Sequence, residues 1–129
     1  MAAVGRPNPY KRPCAQLLER AALGELDVCI DTELLQEVLY VYISRGERSR
    51  GLKTFDDLLH IFPSPIAVTR GEIVLARQLL ERYPVLSPRD SIHAAVALTQ
   101  GLEGIVTTDK GMAQVREVTC FHPLELYPG

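Results

Sequence analysis

Ser87 to Asp109, SPRDSIHAAVALTQGLEGIVTTD, is the stretch whose reading decides the fold. Ser87 offers an N-cap hydroxyl, Pro88 fits the first helical position, where no amide hydrogen is needed, and Asp90 takes the third position of a capping-box-like start. The helix begins there. Its body, Ile92, Ala94, Ala95, Val96, Ala97 and Leu98, is apolar nearly all round and built of small side chains, which suits a helix lying close against a sheet. Gln100 and Gly101 stop it. Behind Gly104, Ile105, Val106, Thr107 and Thr108 form a β-branched run that reads as a buried strand, and Asp109 stands just past its carboxyl end. Ligands of open α/β sheets bind at that edge. Taken singly, Asp90 is accounted for as an acid satisfying helix-start amides, and Asp109 as a turn residue before Lys110 and Gly111. Their pairing across one helix and one strand is what points to a site.

Outward from this stretch, short apolar runs alternate with helical periods. Val28, Cys29 and Ile30 lie between Asp27 and Asp31 as a short buried strand. Asp31 or Thr32 then caps a helix with Leu34, Leu35, Val38, Leu39 and Tyr42 on one face. Glu37 falls at the margin of that face, beside Glu33 and Val41, where it is either a solvated glutamate or one that looks into a cleft. Ser44 to Lys53 is the most basic window, with Arg45, Arg48, Arg50 and Lys53 against Glu47 alone. It reads as a solvated helix connection or as a weak RNA-binding segment. Phe55, Leu58, Leu59 and Phe62 predict the next helix, ended by Pro63 and Pro65, and Ile66 to Val68 another strand. Thr69 caps a helix over Arg70–Arg82, with Glu72 in the capping-box position and Ile73, Ala76, Leu79 and Leu80 facing inward. A short helix around Met112 to Val115 leads to a last strand, Val118 to Phe121. At the amino end a helix is expected from about Tyr10 to Leu23, after an irregular segment, 1–9. Strands near 27–31, 66–69, 104–108 and 118–122, separated by helices, argue for an α/β fold with a parallel sheet and right-handed crossovers.

With 129 residues and 47% apolar content, the chain suffices for one compact domain, 1–129. A net charge of −2 and a pI near 5.9 exclude a protein that grips nucleic acid with its whole surface. Any RNA contact has to be local. Cys14, Cys29 and Cys120 are odd in number and widely spaced, and no zinc-type spacing joins them to His60, His93 or His122, which points to a reducing, cytoplasmic interior. No apolar run approaches the roughly 18 residues of a membrane span, and the first residues lack a signal peptide's apolar core.

The run Arg89, Asp90, Ser91, Ile92, His93, Ala94, Ala95, followed by Ile105, Val106, Thr107, Thr108, Asp109, resembles the carboxyl half of PIN-domain ribonucleases, including VapC-type toxins of type II toxin-antitoxin systems. The resemblance implies a PIN-like parallel sheet flanked by helices, an α/β/α sandwich. It also implies RNA phosphodiester hydrolysis dependent on magnesium or manganese, an RNA substrate, a small antitoxin partner and a homodimer. Glu37 matches the family's second acid, Asp90 the acid that opens the helix and Asp109 the one that ends the strand. Together they would hold the metal. Thr108 matches the hydroxyl residue beside the last acid, where it orients a water or a carboxylate, or is simply a strand residue. Met112 stands where many members have an aromatic side chain, a departure expected to affect packing alone.

The chemistry agrees with that residue set. Phosphodiester hydrolysis needs an activated water and relief for growing negative charge, and a divalent metal supplies both. Magnesium takes hard oxygen ligands, so carboxylates without His or Cys are appropriate. The family's first strand, with its aspartate, has no counterpart before Tyr10, and the first acid, Glu19, lies inside a helix. The expectation is therefore three of the four family acids, a start internal to a longer gene product, and impaired cleavage by the 129 residues alone. A phosphoryl-accepting receiver domain would need an early aspartate that is missing here. A non-catalytic PIN-like interaction module, or a truncated inactive form of the nuclease, stays open as the alternative.

Overall fold

The computed structural model describes residues 28–106 and 111–121. The first helix, α1 (Thr32–Ser44), starts because Asp31 is extended and its Oδ1 accepts the amide hydrogen of Leu34 at 2.9 Å. A turn through Gly46, with φ of +75°, reverses the chain. The second helix, α2 (Arg48–Ile61), then packs back on α1.

Here the structure corrects the sequence reading, since Arg48 to Lys53 form the opening of α2 and not a loop. Gly51 is the reason. A Cβ there would stand 2.7 Å from the Cβ of Tyr42, so the missing side chain lets the two helices approach. Gly51→Ala is expected to destabilise the protein by about 1–2 kcal/mol despite alanine's better helix propensity, because overpacking outweighs it. A chemical denaturation midpoint at or above the parent's would contradict this.

The third helix, α3 (Arg70–Arg82), opens with a capping box: the Thr69 amide and hydroxyl donate to Glu72 Oε1 at 3.0 and 2.9 Å. Those two bonds, the amide's first, hold the Glu72 carboxyl below its ordinary range. Glu72, Ala76 and Leu79 are its buried residues, and Ile73 is 47% exposed, against expectation. A residue turns about 100° from its predecessor on a helix, which carries Ile73 off the arc centred on Glu72 and Leu79.

The fourth helix, α4 (Pro88–Thr99), is capped by Ser87, whose Oγ accepts the Asp90 amide at 3.2 Å, and Gly101, with φ of +63°, follows its end. Strand β1 (Ile105–Val106) pairs in parallel with β2 (Cys120–Phe121), Ile105 opposite Cys120 and Val106 opposite Phe121. Gly104 admits the close approach, because a Cβ there would fall 2.1 Å from the Thr119 carbonyl oxygen. Among the described residues, the runs expected near 27–31 and 66–69 also meet in parallel, as a bridge between Asp31 and Ile66. It is closed by Thr32 N–H to the Ile66 carbonyl and Ile66 N–H to the Ile30 carbonyl, both 2.9 Å. The architecture is thus the expected α/β arrangement of helices with a small parallel sheet.

Two apolar clusters hold these elements. Ile30, Leu35, Val38, Tyr42, Leu58 and Phe62 pack between α1 and α2. Ala76, Leu79, Leu86, Ala94 and Ala95 pack between α3 and α4 and are roofed by Met112, Val115 and Val118. Met112, in the short 3-10 turn Met112–Gln114, is 1% exposed, in line with its expected packing role. Between the two clusters, α1 touches α4. The expected helix at Tyr10 to Leu23, the irregular segment 1–9, and Thr107, Thr108 and Asp109 lie outside the described residues. No helix among the described residues is long and apolar enough to cross a membrane.

Candidate functional site

At the seam between α1 and α4, carboxylates gather around two basic side chains, Arg89 and His93. Glu33 and Glu37 are four residues apart on α1, and Arg89 and His93 four apart on α4, so each pair stands on one helix face. Asp31 and Glu37 are buried, 7% and 6% exposed. Such charges require compensation. It comes from α4: Asp31 Oδ2 lies 2.6 Å from His93 Nδ1, while His93 Nε2 and Arg89 Nη1 each stand 4.0 Å from Glu37 Oε1. The imidazole therefore bridges the two buried carboxylates, one ring nitrogen toward each.

Electrostatics follow from this geometry. Burial by itself pushes the His93 imidazole down, but the Asp31 hydrogen bond and the charges of Asp31, Glu37 and Asp90 outweigh it, and the net direction is up. Burial raises the Glu33 carboxyl, and the nearby Asp31 and Glu37 charges add to that, while His93 and Arg89 oppose it. Among the described residues, four carboxylates, Asp31, Glu33, Glu37 and Asp90, thus act on the two basic side chains at the seam or on one another.

The sequence-predicted residues divide in three. Glu37 and Asp90 come to the same seam: Glu37 faces His93 and Arg89, and Asp90, between these two in sequence, adds to the field on His93. Asp109 and Thr108 lie outside the described residues, and among the described residues no group of three or more His, Cys, Asp or Glu side chains is placed to hold a metal ion. The basic window is scattered over the α1–α2 corner. Arg45 follows the end of α1, Arg48 begins α2, Arg50 is 3.5 Å from Glu47 and lies over the Tyr42 ring at 5.5 Å, and Lys53 bonds Asp57 at 3.0 Å.

Three seam residues had no part in the site expected from the sequence: Asp31, Arg89 and His93. Asp31 carried the same signal as Asp109, an acid at the carboxyl end of a short apolar run. Its capping role masked that signal. His93 was legible only as the residue one turn after Asp90, on the face toward a partner helix not yet known.

The PIN domain family model matches residues 1–118, and the chain belongs to that family. Within it the similarity is to VapC-type members. The chain is 31% identical over 111 residues to VapC ribonuclease Mb1869c of Mycobacterium bovis and to ribonuclease VapC13 of Mycobacterium tuberculosis, covering 86% of this chain and 85% of each relative. Ribonuclease VapC23 of M. tuberculosis is 31% identical over 116 residues, covering 88% of this chain and 89% of that protein. No solved structure gives a significant match.

Proposed function

We propose that this chain is a divalent-metal-dependent endoribonuclease of the VapC toxin type, acting as a single domain over residues 1–129. The observation that supports the reading is the α1–α4 seam, where the buried Glu37 stands 4.0 Å from His93 Nε2 and Arg89 Nη1, and the helix-opening Asp90 acts on the same imidazole. The ribonuclease names of the relatives supply its chemistry. Carboxylate oxygens suit magnesium or manganese, and Glu37, Asp90 and Asp109 are the residues that would hold the ion. When bound, it would supply an activated water and relief for charge on the scissile phosphate.

The chain's own residues prepare that chemistry. Ser87 and Pro88 fix the start of α4 and with it the position of Asp90. Asp31 holds His93, and His93 stands 4.0 Å from Glu37, so the imidazole fixes the α4 face that carries Asp90 against the α1 face that carries Glu37. The Thr108 hydroxyl adjoins Asp109 in sequence and orients a water or a carboxylate. Arg45, Arg48, Arg50 and Lys53 provide weak, local phosphate contact, consistent with a net charge of −2. A small antitoxin presenting a cationic side chain fits the carboxylates of the seam, and a cytoplasmic homodimer is the form in which the chain would act.

One observation favours the alternative of a non-catalytic PIN-like interaction module: Asp31 and Glu37 already have basic side chains of α4 beside them. One assay separates the two. The purified chain with single-stranded RNA should yield fragments in magnesium or manganese, slowly because it supplies three of the four family acids, and none in EDTA. Cleavage insensitive to EDTA, or absent with both metals, overturns the nuclease reading.

A further inference from the structure

We propose that Tyr40 and Arg89 form a stacking shelf that holds one nucleobase of a single-stranded RNA beside the carboxylate seam. The proposal rests on the nuclease reading for its substrate class. Tyr40 follows Glu37 by three residues on α1, which puts both on one side of the helix. The Arg89 guanidinium lies over the Tyr40 ring, 4.6 Å from its centroid, and 4.0 Å from Glu37 Oε1. Glu37, Arg89 and Tyr40 therefore form a file from the buried carboxylate to the surface. The ring ends the file 54% exposed.

Among the described residues, the other exposed large apolar side chains are aliphatic, such as Ile43, Leu52 and Val85, and none of them offers a π face. Tyr40 does, at the edge of the site. A ring and a guanidinium plane both stack with any base, which suits a substrate recognised by its strandedness more than its sequence. The Arg89 donors can also pair with an adjacent phosphate. Bases in a duplex are stacked on each other and unavailable, so the shelf selects single strands.

The experiment uses the full chain and a ten-nucleotide single-stranded RNA carrying 2-aminopurine at successive positions. Tyr40→Ala should raise KM about tenfold with kcat little changed, and should remove 2-aminopurine quenching at one position. Tyr40→Phe should keep both. KM and quenching unchanged in Tyr40→Ala overturn the shelf and leave the nuclease reading intact. Conversely, a chain that never cleaves RNA but binds and quenches it through Tyr40 overturns the nuclease reading and keeps the shelf. Sedimentation velocity covers the remaining case: if Tyr40→Ala changes the assembly state and not RNA affinity, the ring belongs to an interface between copies, and the shelf falls.

Discussion

An Asp90→Asn chain is expected to lose metal-dependent RNA cleavage by at least about a hundredfold, roughly 3 kcal/mol of transition-state stabilisation, while keeping its fold. The fold survives because the side chain at position 90 is not what starts α4. Ser87 Oγ accepts the backbone amide of residue 90, and Pro88 needs no amide partner, so both features persist with asparagine. Cleavage fails because hard-cation affinity follows the number of charged oxygens offered, and the substitution removes one from a site proposed to have three from this chain. Initial cleavage rates in magnesium, with thermal melting as the control for folding, decide the matter. A variant that keeps half the parental rate would place the metal elsewhere.

How far such a site was legible depends on whether its signal was local. Ser87, Pro88 and Asp90 act within one helical turn, so the cap and its acid were readable directly, as was the capping box of Thr69 and Glu72. Glu37 was readable only as a margin position. Its burial comes from α4, which lies about fifty residues further along the chain. The basic window, Ser44 to Lys53, misled for the same reason, because charged residues around Gly51 suggest a connection until Tyr42 is found against that glycine. The strands near 27–31 and 66–69 were found as apolar runs, but a run cannot say how many of its residues will pair, and among the described residues one bridge forms. Asp31 is the instructive case: its one visible role was correct, since it does cap α1, and that role concealed the second one toward His93.

The two roles of Asp31 can be separated by energy. Asp31→Ala removes an N-cap, worth about 1 kcal/mol, and a charge-assisted bond to His93, worth about 1.5–3 kcal/mol, so a total loss near 3 kcal/mol is expected. For a chain of this size that is a fall in melting temperature of roughly 10 °C. Asp31→Asn should lose about half as much, because asparagine caps as well as aspartate yet brings no charge to the imidazole. A cycle with His93→Ala isolates the bond itself. The Asp31→Ala and His93→Ala losses should fail to add by about 2 kcal/mol, since each removes the same 2.6 Å interaction. Cleavage should fall in both single variants even at temperatures where they remain folded, because Glu37 loses the ring 4.0 Å from it in one and the bond that holds that ring in place is lost in the other. Losses that add within about 0.5 kcal/mol would show that Asp31 serves α1 alone, and that Glu37 is positioned without it.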